Sequence, residues 1–174
     1  MSNPTTAVVQ TQLVGGTDGD IFHDGSALGG WPAMQKIDMA HPIRQIDIFS
    51  GWIVDGVTVT YQLQGGSTAK GAHGTSSTRS TVKLSDKETL LAVVGRAGNH
   101  SYYKRSVVHQ LTFVILDTSN GKVRQEGPFG NEDASNQGEV FHVSGPIALA
   151  GYAKNGTDPL GLSGLSFIKA STFE

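Results

Sequence analysis

A carboxylate follows a glycine at a spacing of four in Gly51-Trp52-Ile53-Val54-Asp55, directly ahead of the alternating run Val57-Thr58-Val59-Thr60-Tyr61-Gln62-Leu63-Gln64. A two-residue apolar period is that of a strand with one face in a core. The loop therefore delivers Asp55 at the start of a rigid element, with several backbone N–H groups close by. An acceptor-only carboxylate beside such donors suits a ligand with adjacent hydroxyls, each of which both donates and accepts hydrogen bonds. Sugars are the commonest ligands of that kind. The same residues also fit a plain turn, in which Asp55 caps the backbone and Trp52 packs on a neighbour.

Other chemistry is harder to assemble. The six histidines, His23, His41, His73, His100, His109 and His142, form no His-x-x-x-His pair, and no Gly-x-Ser-x-Gly elbow accompanies them. Asp18, Asp20 and Asp24 lie close together but depart from the EF-hand pattern, and read as a turn with a structural acidic pair at a strand end. An enzyme is not expected, nor a metal or other cofactor. A formal net charge of −2 gives none of the basic footprint that phosphate backbones demand, so nucleic acid is not an expected partner.

The elements that must position these residues are strands. Twenty-three glycines against 13 Lys and Arg and 15 Asp and Glu describe a turn-dense chain of low charge. No window shows a sustained helical period with a cap and a stop. Strands are expected around 7–14, 21–24, 43–49, 57–64, 80–84, 89–95, 107–116, 122–126, 140–144, 147–152 and 162–170. The segment from Ser26 to His41 reads as an irregular excursion without an evident purpose.

A single domain over 1–174 is expected, with 1–13 an N-terminal extension or first strand, because no Pro-rich or charge-rich linker divides the chain. There are no cysteines, so burial alone must hold the fold. The N-terminus lacks the pattern of a secretory signal and no apolar run reaches membrane-spanning length, so a protein of the cytoplasm, or one released without a signal peptide, is the expectation.

In order along the chain these segments echo one another. Three loops open with glycine, at Gly51 to Asp55, Gly95 to Asn99 and Gly151 to about Gly161, and three glycine turns alternate with them, at Gly15-Gly16, Gly71-Ala72-His73-Gly74 and Gly127-Pro128-Phe129-Gly130. A threefold echo suggests three small sheets about one core.

The opening Val14-Gly15-Gly16-Thr17-Asp18-Gly19-Asp20-Ile21-Phe22-His23-Asp24-Gly25 resembles that of the jacalin-related lectins, mannose-binding type. Ile46 to Tyr61, Ala72-His73-Gly74, Glu88 to Gly95, Leu111-Thr112-Phe113, Gly127 to Gly130 and Gly151-Tyr152 follow in that family's order. The resemblance covers most of Val14 to Ile168 and is carried by the ordered series. It implies an all-β fold, the β-prism of three four-stranded antiparallel Greek-key sheets with pseudo-threefold symmetry. It also implies metal-independent binding of mannose- or glucose-type glycans or glycoproteins, and assembly as a homo-oligomer. A β-prism interaction module that has lost its sugar site is the alternative.

The resemblance further implies where ligand would sit. The family's principal site joins the Gly-Gly turn, here Gly15 and Gly16, to a Gly-x-x-x-Asp loop near the C-terminus. A gapless match puts Thr157 at that motif's glycine and Gly161 at its aspartate, so the motif is altered. Asp158, in Gly156-Thr157-Asp158-Pro159, either reaches a sugar from another point of the loop or is an ordinary turn aspartate. By contrast, Gly51, Trp52, Ile53, Val54 and Asp55 keep the motif intact where some members carry a second mannose site, paired with the turn containing His73 and Gly74. Asn99 ends the third loop in an amide that lacks charge assistance. Tyr102 and Tyr103 follow it and either extend a binding surface or pack on a sheet.

Overall fold

The computed structural model describes residues 5–31, 36–155 and 161–173. The strands are β1 (Thr5–Gln10), β2 (Val14–Gly15), β3 (Asp20–His23), β4 (Ile43–Ser50), β5 (Val54–Gln62), β6 (Thr68–Gly74) and β7 (Arg79–Lys83). They continue as β8 (Glu88–His100), β9 (Arg105–Asp117), β10 (Val123–Gly130), β11 (Glu139–Ser144), β12 (Pro146–Ala153) and β13 (Leu162–Phe173). A one-turn helix, α1 (Asp24–Ala27), follows β3.

Three antiparallel sheets run β6-β5-β4-β7, β10-β9-β8-β11 and β1-β13-β12-β3. Each has one plan: a central hairpin, the next strand in sequence on its second arm, and a returning strand on its first. That is the Greek-key order. In the third sheet the flanking strands come from the N-terminus, so the chain closes the threefold pattern with its own two ends. This is the expected β-prism, with one difference. Both β1 and β2 pair with β13, which makes the third sheet five-stranded.

Alternation in the sequence becomes burial in the prism. Along β5, Val57, Val59 and Tyr61 are buried, while Thr58 and Thr60 between them are partly exposed. Ile46 and Ile48 of β4, Leu111, Phe113 and Ile115 of β9, and Leu165 and Phe167 of β13 fill the same interior. Each such side chain contributes about 1.5–3 kcal/mol relative to exposure. The excursion from Ser26 to His41 has a purpose after all in its described part: Ile37 is fully buried in this core and bridges to Leu63.

Three glycine-rich segments correct the sequence reading. Gly71 to Gly74 is not a turn but the end of β6, paired throughout with β5. Gly95 to Asn99 is not a loop but part of β8, and the connection to β9 is 101–104. Gly127 to Gly130 lies within β10, across an irregularity in its register with β9. The segment around 7–14 is two strands, β1 and β2. These glycines mark close approach rather than chain reversal. A Cβ at Gly95 would lie 2.6 Å from the Phe141 ring, and one at Gly71 would lie 2.5 Å from the Asp24 carboxylate.

Asp24 is the polar centre of the seam between two sheets. It is buried, accepts a hydrogen bond from the Tyr61 hydroxyl, and pairs with His73 Nε2 at 2.6 Å. Tyr61 oxygen in turn accepts the Leu149 N–H at 3.1 Å. Burial, and then the neighbouring Asp24 charge, push the Tyr61 phenol well above its ordinary pKa, so it holds its proton and remains a donor. Asp24 is thus structural, but its partners are Tyr61 and His73 rather than a second acid of an acidic pair.

Candidate functional site

The β4–β5 turn, residues 51–53, is held from both sides. Gly51 N–H donates to Ile53 carbonyl at 3.0 Å, which closes the turn on itself. The Gly51 and Trp52 carbonyls accept from Glu132 N–H (3.2 Å) and Asn131 N–H (3.1 Å) in the β10–β11 connection. That connection is itself closed by paired amide bonds between Asn131 and Asn136. Among the described residues, the N–H groups of Trp52 and Ile53 have no protein acceptor. Ile53 and Val54 bury their side chains and can offer a ligand only backbone, whereas Trp52 is half-exposed.

Asp55 begins its rigid strand as expected, but it is buried at 7% exposure. Its Oδ2 accepts from Ser77 Oγ at 2.6 Å, and its carbonyl accepts Thr75 N–H at 2.9 Å. Burial raises its pKa from the ordinary value; Ser77 offsets part of that shift and the Glu132 charge adds to it. A carboxylate in this condition is short of donors. Hydroxyl groups brought to it would supply what desolvation removed.

The other expected site residues are spread over the same end of the prism. Gly74 has φ +85, and a Cβ there would lie 2.3 Å from Asp55 carbonyl, so only glycine seats β6 against the start of β5. Its N–H donates to Asn155 Oδ1 at 3.0 Å. His73 turns away from the turn: its ring stacks on Phe22 with centroids 3.6 Å apart and is committed to Asp24. Gly15 and Gly16 pack on β13 and β9, with Gly16 N–H donating to Ser163 carbonyl and its missing side chain replaced by Ser106 Cβ. Gly161 abuts Ile53 and Arg105, so the end of the β12–β13 connection lies against the β4–β5 turn. Gly156, Thr157 and Asp158 lie outside the described residues.

The sequence placed Tyr102 and Tyr103 either on a binding surface or against a sheet, but showed neither the contact with Trp52 nor the histidines beneath. The Trp52 ring meets Tyr102, from the 101–104 turn, edge to face at 5.7 Å. Under that turn His100 and His109 are buried and stacked, with centroids 5.1 Å apart. His100 Nδ1 accepts Tyr102 N–H at 3.2 Å, and its Nε2 lies 3.7 Å from Asp133 Oδ2. His109 Nε2 donates to Gly98 carbonyl at 2.9 Å. Only the positive φ of Asn131 and Asn136 had a sequence signal, the Asn-rich composition of that connection.

Burial lowers the His109 pKa from its ordinary 6.5, with the Gly98 carbonyl offsetting part of the shift and His100 adding to it. The unfolded chain therefore binds more protons just below that value, and the stability His109 contributes is present above it and lost as pH falls. Melting temperature is expected to drop between pH 7 and about 5. His109→Gln cannot take up a proton and should flatten that segment of the curve; an unchanged slope would show that His109 is not the titrating group.

Among the described residues no group of three His, Cys, Asp or Glu could hold a metal ion, and no helix is long and apolar enough to cross a membrane. The family described as a jacalin-like lectin domain matches residues 11–162. A search of the curated proteins found no match. Among solved structures, Malaysian banana lectin is 17% identical, with 92% of this chain and 96% of that chain covered and a TM-score of 0.69. A mannose-binding jacalin-related lectin from Ananas comosus is 22% identical, with 95% and 99% covered and a TM-score of 0.69. Artocarpin, a lectin with mannose specificity, is 22% identical, with 94% and 97% covered and the same TM-score. At these identities the structures share the fold, and the family match spans most of the sequence. The chain belongs to the jacalin-like lectin domain family.

Proposed function

We propose that this protein binds glycans of the mannose or glucose type at the Gly51–Asp55 turn, without a metal and without chemical conversion. The observation that carries the reading is one buried, donor-poor carboxylate beside the N–H groups of Trp52 and Ile53, which have no acceptor among the described residues. Vicinal sugar hydroxyls would accept from the two N–H groups and donate to Asp55, while Trp52 offers an apolar face to sugar C–H groups. The two relatives named for mannose support the sugar class.

A shallow site of few hydrogen bonds gives millimolar affinity for one monosaccharide, about −4 kcal/mol. Useful avidity then requires several sites, and we propose a homo-oligomer acting on multivalent glycans or glycoproteins. Calorimetric titration with mannose, alongside a glycan array, tests the sugar class. Because every contact is direct, binding is expected to survive EDTA. Loss on chelation with recovery on adding Ca²⁺ would defeat the metal-free reading.

The second reading, an interaction module without sugar binding, is favoured by one feature. Asn155 already occupies the Gly74 N–H, and Ser77 already occupies one oxygen of Asp55. A silent glycan array with the fold intact by thermal melt would select it.

A further inference from the structure

The two stacked histidines are costly to bury. His100 and His109 are 1% and 0% exposed, and their rings lie nearly parallel at 13°. His100 Nε2 and His109 Nδ1 are both buried without a hydrogen-bond partner among the described residues. An apolar pair would fill the same space without stranding two ring nitrogens. The glycan reading makes no use of either residue.

Each ring is tied through its other nitrogen. His109 Nε2 donates to the Gly98 carbonyl of β8, while His100 Nδ1 accepts the Tyr102 N–H and so helps to hold the 101–104 turn. His100 Nε2 faces Asp133 Oδ2 at 3.7 Å, in the β10–β11 connection. That connection gives the N–H groups of Asn131 and Glu132 to the Trp52 and Gly51 carbonyls, and the Tyr102 ring touches the Trp52 ring. Contacts therefore run from His100 to the β4–β5 turn through both of its neighbours.

Histidine is the side chain that ordinarily changes charge between about pH 5 and 8. An imidazolium carries a proton on both nitrogens and accepts nothing, so a protonated His100 cannot keep the Tyr102 N–H. The groups facing the stack decide where a charge settles. Asp133 lies against His100 and favours a charge there. Burial, and more weakly Arg96 of β8, disfavour one on His109. Tyr103, ring to ring with His100 at 4.7 Å, keeps its phenol proton because burial pushes its pKa up. Like charges in contact oppose each other, so the stack takes one proton and His100 holds it.

We infer that His100 is an acid-operated latch: below neutral pH it exchanges the Tyr102 N–H for Asp133, frees the 101–104 turn, and weakens ligand binding at the Gly51–Asp55 turn. The effect on ligand rests on the glycan reading above, whereas the release of Tyr102 does not.

Two measurements between about pH 7.5 and 5 test this on the parent, His100→Asn and Asp133→Asn: the hydrogen-exchange protection factor of the Tyr102 amide, and mannose affinity by NMR titration. Asparagine sets an acceptor near the place of Nδ1 and does not titrate. In the parent, Tyr102 protection should fall with pH and the mannose Kd should rise about tenfold, the scale of one lost hydrogen bond. In His100→Asn protection should hold, and any affinity loss that persists belongs to Asp55, whose carboxyl burial pushes up. Asp133→Asn should move the Tyr102 transition to lower pH. Constant Tyr102 protection in the parent, or an affinity loss as large in His100→Asn as in the parent, overturns the inference. Should melts at pH 7.5 show His100→Asn unfolded, an unmoved transition in Asp133→Asn overturns it instead. Absence of mannose binding at pH 7.5 overturns the glycan reading and the effect on ligand, while the Tyr102 amide still decides the latch.

Discussion

Asp24→Ala is expected to lower folding stability by about 3–5 kcal/mol, the cost of breaking a buried, hydrogen-bonded pair by removing one partner. The substitution strands the Tyr61 hydroxyl and the His73 ring, both of which are committed to Asp24 at a seam between sheets. Denaturant unfolding followed by tryptophan fluorescence measures the loss. A second substitution identifies its origin. In the parent, Gly71→Ala should also destabilise, because its Cβ would lie 2.5 Å from the Asp24 carboxylate. In the Asp24→Ala background that obstruction is gone, so Gly71→Ala should cost much less there. A coupling of about 1 kcal/mol or more between the two sites is expected for residues in direct contact. Simple additivity would show that Gly71 is glycine for some other reason.

Asp55→Asn should weaken mannose binding by on the order of 1.5–3 kcal/mol, the scale of hydrogen bonds to a charged group. That corresponds to a loss of roughly tenfold to more than a hundredfold in Kd. The amide keeps the size of the side chain and can still accept from Ser77, so β5 and the turn should remain in place. Thermal melts of parent and variant check this. Asp158→Asn supplies the comparison: a smaller loss is expected if its loop is an ordinary turn, and an equal one if that loop has become a second site. Parent-like binding by Asp55→Asn together with complete loss in Asp158→Asn would reverse the ranking and place the principal site in the β12–β13 connection.

The sequence reading of β6 failed for a reason that the Asp24 cycle would measure. Thr68-Ala69-Lys70-Gly71-Ala72-His73-Gly74 lacks apolar alternation, and its glycines resemble punctuation. They are selected instead by what lies across from them, a carboxylate at Gly71 and a carbonyl at Gly74. Gly95 was misread in the same way, because the Phe141 ring that fills its side-chain space is distant in sequence. A glycine that makes room for another chain segment is indistinguishable, in one dimension, from a glycine that turns the chain.

The strands with clean alternation, the all-β class, the threefold echo and the intact Gly51–Asp55 motif were determined by the sequence alone, since each is a local pattern written in consecutive residues. The pairing of both chain ends into one sheet, the desolvation of Asp55 by its neighbours, the commitment of His73 to Asp24, and the Trp52–Tyr102 contact were decided only in the tertiary structure. Each joins residues of different strands or different repeats, and such contacts depend on how the sheets close about the core. No spacing along the chain encodes the distance between two turns that meet only when the prism is complete.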